Sequence, residues 1–133
     1  MPFVLDASIS ASWGLADEDS PIAEMAEARL QNDTALVPRI WWYEIRNLLV
    51  VNERRKRITS DDSTTFLGLL ASYPIQIDPI DDEEACFRLA RLYSLSFYDA
   101  AYLQVAQRNR IPLASLDKAL RKAAESAGIP LLH

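Results

Sequence analysis

Four acidic residues, Asp6, Glu44, Asp99 and Asp117, hold the positions in this chain from which chemistry is most readily drawn. Three stand where a short apolar run ends or a helix is expected to begin. The fourth, Glu44, lies inside an expected helix, and together they span nearly the whole sequence. Folded into one place they would form a carboxylate cage for a hard divalent cation, Mg2+ or Mn2+, because such ions prefer oxygen ligands. A cation held in this way lowers the pKa of water and steadies charge on phosphate oxygens, which points to metal-assisted cleavage of a phosphate ester.

The rest of the composition removes competing chemistries. The only histidine is His133, the last residue, where the chain is expected to fray. A Ser-His-Asp triad, a Cys-His dyad or a histidine-rich zinc site would need one inside the fold. The only cysteine, Cys86, excludes an intrachain disulfide and a thiolate cluster, and reads as a small core residue on a helix face. The three glycines, Gly14, Gly68 and Gly128, are too scattered for a dinucleotide fingerprint or a phosphate-binding P-loop.

At 133 residues, half of them hydrophobic and a quarter charged, the chain suits one domain over residues 1–133 with one sizeable core. The N-terminal MPFVLDAS has neither the basic segment nor the apolar stretch of a signal peptide. No apolar run nears the ~20 residues needed to span a membrane, so a cytoplasmic, reduced location is expected. The net charge of −5 argues against a general nucleic-acid binder, but it is unevenly spread. Residues 86–133 carry 3 acids against 7 bases, net +4, and two of those acids are Asp99 and Asp117. A basic surface beside an acidic pocket could hold an RNA backbone at the point of cleavage. Lys118, Arg121 and Lys122, within about a turn of Asp117, are the candidates for that grip. The basic run at Glu53–Arg57 reads either as a solvated helix end favoured by the helix dipole or as a phosphate contact.

Positioning the four acids falls to short apolar runs that alternate with helical patterns. The runs are Phe3-Val4-Leu5, Ala35-Leu36-Val37, Ile75-Gln76-Ile77, Leu113-Ala114 and Leu131-Leu132. Their alternation predicts a short central parallel sheet covered on both faces, a three-layer α/β/α domain. Thr59-x-x-Asp62 and Asp81-x-x-Glu84 resemble capping boxes, the second leading into a face of Ala85, Leu89 and Leu92. A long helix is predicted from Pro38 to about Arg57, and another from Tyr98 to Arg108 with Ala101, Leu103, Val105 and Ala106 inward. Gly128 is expected to end the last helix.

Each acid also has a plain local explanation. Asp6 ends a strand, where ligands of open parallel sheets gather, but it could simply cap the following helix, a role for which Ser8, just before Ile9–Ala16, is the better placed residue. Ser8 could equally bond a carboxylate or a metal-bound water. Glu44, amid aliphatic residues and tryptophans, needs a partner, and Arg39 or Arg46 would serve. Ser96-x-x-Asp99 is close to a capping box, and Asp117 sits where an N-cap aspartate is common. The case for chemistry rests on the set.

The words around the acids carry a resemblance. VLDAS at Val4–Ser8 and Tyr43-Glu44-Ile45-Arg46-Asn47 after a proline look like the first half of a PIN domain. SFYDAAYLQVA at Ser96–Ala106 and PLASLDKAL at Pro112–Leu120 are similar to its second half. The match spans almost the whole chain and is nearest to the VapC-type toxins of toxin–antitoxin pairs. It implies an endoribonuclease dependent on Mg2+ or Mn2+, with Asp6, Glu44, Asp99 and Asp117 as metal-binding acids and Ser8 and Ser115 as supporting hydroxyls. Serine at 115, where the family often has threonine, retains the hydroxyl. Cleavage by water would leave 5′-phosphate and 3′-hydroxyl ends. The resemblance further implies a homodimer, a cognate antitoxin whose C-terminal segment lies in a groove over the acidic site, and contact with DNA only through that antitoxin. Adjacent Trp41 and Trp42 cannot share one helix face, so one of them is a candidate to line such a groove.

Two other readings compete. A non-catalytic PIN-like module would bind RNA or protein without needing all four acids. A phospho-acceptor domain also ends strands with aspartate, and Lys118 would suit it, but it wants an adjacent acidic pair after the first strand. Asp6 stands alone until Asp17.

Overall fold

The structure is a computed structural model that describes residues 1–15 and 20–133. Asp17 lies outside the described residues, and the helix expected over Ile9–Ala16 instead spans Ala7–Ser12 and is closed by Trp13. The elements run β1 (Phe3–Leu5), α1 (Ala7–Ser12), α2 (Pro21–Arg29), β2 (Ala35–Val37), α3 (Ile40–Arg54) and α4 (Ser60–Ala71). They continue with β3 (Ile75–Ile77), α5 (Glu83–Tyr93), α6 (Phe97–Asn109), β4 (Leu113–Ala114) and α7 (Lys118–Ser126).

Four of the five short apolar runs are strands, all parallel, in the order β3-β2-β1-β4. The fifth is reduced to a single parallel bridge between Leu113 and Leu131. Every residue of β1 is buried, as expected of a central parallel strand covered on both faces. This is the three-layer α/β/α arrangement predicted above. The chain runs from β1 outward to β2 and β3, then returns to lay β4 on the other side of β1. The order therefore reverses between β1 and β4, and in open parallel sheets ligands bind beyond the strand ends at such a point.

Local chemistry sets the helix ends. Thr59 and Asp62 form the reciprocal capping box, with bonds of 3.1 and 2.9 Å. α5 begins one residue later than the Asp81 pattern suggested. Asp82 is its cap, accepting from the Ala85 N–H at 3.1 Å, while Asp81 pairs with Arg39 at 3.0 Å. Its inward face is Ala85, Cys86 and Leu89, and Leu92 is exposed. Ser8 does not cap α1: Asp6 holds the N-cap position without a side-chain cap bond, and Ser8 lies within the helix. Gly128, at φ 75°, follows α7 in the left-handed conformation that glycine tolerates best.

Two helices matter most for the site. α3 buries Trp41, Ile45 and Leu49, one residue per turn, which turns Trp42 outward, with the Arg46 guanidinium 3.9 Å above its ring. α6 is buried continuously from Tyr102 to Ala106 and lies against β1 and β2, with α5 and α7 beside it. Its C-terminal half is tied to the sheet by Asp78, just after β3. Asp78 accepts from Arg108, from Asn109 at 3.1 Å and from the Ile80 N–H at 3.0 Å. Burial pushes its carboxyl up, but these bonds and the Arg108 charge outweigh burial and hold it below the usual carboxylate range. Replacing Asp78 with Ala strands the Arg108 charge and is expected to cost about 3 kcal/mol in urea unfolding at neutral pH. Because the carboxyl is depressed in the folded state, its contribution is complete above about pH 4 and is lost as the pH falls through the folded value. The difference between wild type and variant should therefore shrink in melts at about pH 3.

Candidate active site

Asp6, Glu44, Asp99 and Asp117 line a single open cleft of about 330 Å³ together with Ala7, Ser8, Asn47 and Leu48. The topology brings them there from four elements. Asp6 follows β1 and Asp117 follows β4 across the point of strand-order reversal. Glu44 projects from the second turn of α3, and Asp99 from the first turn of α6.

Asp6 is the anchor. It is 5% exposed, and its Oδ2 accepts hydroxyls from both Ser8 and Ser115 at 2.7 Å. The same hydroxyls accept in turn: Ser8 from the Leu116 N–H at 3.1 Å, Ser115 from the Asp117 N–H at 3.0 Å. The two serines thus stitch the start of α1 to the turn between β4 and α7. Burial pushes the Asp6 carboxyl above its ordinary value, and the charge of Asp117 adds to this. The serine hydroxyls and the Ala7 N–H offset only part of it.

Glu44 does not pair with Arg39 or Arg46. Its Oε1 accepts from the Tyr102 hydroxyl at 2.9 Å. Arg39 is engaged by Asp81, and Arg46 donates to the Trp42 carbonyl at 3.1 Å. Burial, then the charges of Asp6 and Asp99, raise the Glu44 carboxyl against the pull of Tyr102. Asp99 is raised by burial and by the charges of Asp117 and Asp6. Ser96 caps α6 through the Asp99 N–H at 3.1 Å. Asp117 is both a cap and a member of the cleft, its Oδ2 accepting from the Leu120 N–H at 2.8 Å. Local explanation and site membership hold together for these two acids.

The donor set fits a hard divalent cation. The polar side chains lining the cleft are four carboxylates, one hydroxyl and one amide, and burial and neighbouring charges raise three of the acids, a penalty that a cation would relieve. The cage expected from sequence is nevertheless open. Among the described residues no three His, Cys, Asp or Glu side chains are grouped tightly enough to hold one ion. Mg2+ does not demand such a cage, since it retains several waters and takes one or two carboxylates.

The family model for the PIN domain matches residues 3–126. The chain belongs to the PIN domain family. Among solved structures, this PIN chain is similar to PAE2754 from Pyrobaculum aerophilum at a TM-score of 0.68 and 17% identity, over 92% of this chain and 84% of that one. It is also similar to VapC20 of Mycobacterium tuberculosis, a Sarcin-Ricin loop cleaving toxin, at a TM-score of 0.65 and 15% identity, over 98% of both chains. At these identities the likeness is one of fold. Comparison with curated protein sequences gives no significant match.

Around this PIN cleft the three basic candidates divide. Arg121 is turned inward, donating to the Ser115 carbonyl at 3.0 Å, and so braces the site's backbone. Lys118 and Lys122 are exposed on α7, but neither lines the cleft. Two residues of the site escaped sequence reasoning, Tyr102 and Asn47. Both were legible by spacing: Asp99-x-x-Tyr102 and Glu44-x-x-Asn47 each place a polar group one helical turn from a candidate ligand. No helix among the described residues is long and apolar enough to cross a membrane.

The raised carboxyls have a consequence for stability. A folded-state carboxyl held above its unfolded value stabilises the protein at low pH and loses that contribution as the pH rises through the folded value. In EDTA, the share of stability due to Asp6, Glu44 and Asp99 should therefore be larger near about pH 5 than near about pH 8. Asp99→Asn removes one of the repelling charges and should raise the melting temperature at about pH 8 relative to wild type, with the gap narrowing toward about pH 5. Mn2+ should stabilise the wild type at the higher pH and the variant much less. Thermal melts across pH, with and without Mn2+, check all three statements.

Proposed function

We propose that this chain is a divalent-metal-dependent endoribonuclease, a single cytoplasmic domain acting as the toxin of a toxin–antitoxin pair. The observation that carries this reading is the meeting of Asp6, Glu44, Asp99 and Asp117 in one cleft beyond the carboxyl ends of β1 and β4 in a PIN fold. The likeness to VapC20, itself a toxin that cleaves the Sarcin-Ricin loop, supports it.

Asp6, Glu44, Asp99 and Asp117 would hold Mg2+ or Mn2+, which supplies charge neutralisation on a phosphodiester and a lowered pKa for water. The chain's own residues do the rest. Asp6, pinned by Ser8 and Ser115, fixes where the phosphate sits relative to the sheet edge. Glu44, tied by Tyr102, and Asp99, on the first turn of α6, would complete the ligand set from the helical side of the cleft. Asn47 offers an amide at the mouth of the cleft for a phosphate oxygen. Lys118 and Lys122, on the helix that Asp117 caps, extend a positive surface for the RNA backbone beyond the cut.

Self-association is supported by an exposed apolar surface beside the site. Phe87 packs edge-on against Phe97, which shares a mostly apolar groove with Tyr43 and Tyr98. All four rings are exposed, a feature that marks contact surfaces more often than free ones. We assign this surface to a homodimer, leaving the antitoxin's C-terminal segment to cover the acidic cleft and DNA to be met only through the antitoxin.

Two experiments test these assignments. End-labelled total transfer RNA and ribosomal RNA incubated with purified protein and Mg2+ or Mn2+ should yield discrete cuts. EDTA should abolish them, and Asp99→Asn should reduce them by about 100-fold or more, the scale of losing one electrostatic stabiliser of a transition state. Metal-independent cutting, or full activity in the variant, would sink the mechanism. In light scattering after size exclusion, the wild type should run as a dimer and Phe97→Asp as a folded monomer.

A further inference from the structure

The four acids are not offered to the cleft on equal terms. Both serine hydroxyls converge on Asp6 Oδ2, and the Ala7 N–H adds a backbone bond to the same carboxylate. Asp117 Oδ2 is engaged by the Leu120 N–H. Glu44 Oε1 is engaged by Tyr102, which lies 58 positions along the chain. These tethers differ in kind. The Ser8, Ser115 and Leu120 groups also build the local backbone, in the β4–α7 turn or as a helix cap. The Tyr102 hydroxyl is different: the one hydrogen bond it donates goes to Glu44, and the Ala7 backbone N–H on its other side leaves that direction fixed. The ring is fully buried in the middle of α6, and a buried tyrosine ordinarily needs a partner for its hydroxyl. Here that partner is the only carboxylate that α3 contributes to the cleft.

A carboxylate with one oxygen held by a rigid donor presents the other oxygen alone. Ca2+ takes six to eight oxygens and often grips a carboxylate by both, whereas Mg2+ takes six in a strict octahedron from single oxygens and water. We propose that Tyr102 is a positioning residue that holds Glu44 as a single-oxygen ligand and so biases the cleft toward a small octahedral cation, Mg2+ or Mn2+, over Ca2+. The inference rests on the metal-binding reading above and adds to it the residue that sets the preference. Loss of the tether frees Glu44 to swing and to offer both oxygens, which favours the larger ion.

Tyr102→Phe tests this, since it deletes one oxygen and retains the ring that fills the core. The readout is Mn2+ binding followed by electron paramagnetic resonance, with Mg2+ and Ca2+ as competitors, and needs no RNA. In wild type, Mg2+ should displace Mn2+ at lower concentration than Ca2+. In Tyr102→Phe that preference should narrow by about 10-fold, the scale on which outer-shell partners of metal ligands act. An unchanged preference with Mn2+ still bound would overturn the proposal, as would a fall in melting temperature with no change in preference, which would make Tyr102 purely structural. Absence of Mn2+ binding by the wild type would overturn the metal reading itself, and is thereby distinguished. Should circular dichroism show Tyr102→Phe unfolded, Glu44→Asp withdraws the carboxylate from the hydroxyl by one methylene and should narrow the preference in the same direction. An unchanged preference there overturns the proposal equally.

Discussion

Charge repulsion among the buried Asp6, the half-buried Glu44 and Asp99 and the exposed Asp117 is the constraint around which the site is organised. Asp6 is almost without solvent at the end of a central strand; the charge of Asp117 raises it and Asp99, and the charges of Asp6 and Asp99 raise Glu44. Left to itself such a cluster would splay. The chain restrains it with hydrogen-bond donors: two serine hydroxyls on Asp6, a tyrosine hydroxyl on Glu44, a helix N-terminal N–H on Asp117. A cation would relieve the residual repulsion, and its binding would then be linked to folding.

Much of the remaining structure serves to keep those donors still. The reversal of strand order between β1 and β4 sets the Asp6 and Ser115 ends side by side, and the Asp6 N–H donates to the Ala114 carbonyl at 3.0 Å. Arg121 grips the Ser115 carbonyl from below. α6 carries Asp99 on its first turn and Tyr102 on its second, and its burial from Tyr102 to Ala106 gives the tyrosine no room to shift. The Asp78–Arg108 pair anchors the far end of the same helix to the sheet. Trp41 buries its ring under α3 and donates to the Ser10 hydroxyl at 2.9 Å, fixing the helix that carries Glu44 against α1.

The fold class was legible because its signals are local. Short apolar runs stood out at all four strands, and the capping box at Thr59 and the left-handed glycine at 128 marked helix ends correctly. Where local signals were ambiguous the reading slipped. Asp81 and Asp82 are neighbours with equal claims to cap α5, and the choice fell to Asp82 because Arg39, far away in sequence, takes Asp81. Leu92 has the right spacing for the α5 core, but that face is centred on Cys86 and Leu89, so Leu92 points to solvent. Ser8 read as a cap because serine is a good one, yet its hydroxyl is recruited by Asp6 and by the backbone of a turn over a hundred residues later.

By itself, then, the sequence determined the donor chemistry. A chain with one histidine, one cysteine and no phosphate-binding glycine loop, but with aspartates at two strand ends, has hard oxygen ligands to offer and little else. Residue type decides that, and tertiary structure cannot alter it. Only the fold decided who holds whom. Glu44 had two arginines nearby in sequence and took a tyrosine 58 positions away, Arg121 turned from solvent to a carbonyl, and the four acids met as a lined cleft rather than a closed cage. Those partnerships depend on which helix faces the packing of α3, α6 and α7 leaves pointing at one another, and no local rule of spacing or propensity contains that information.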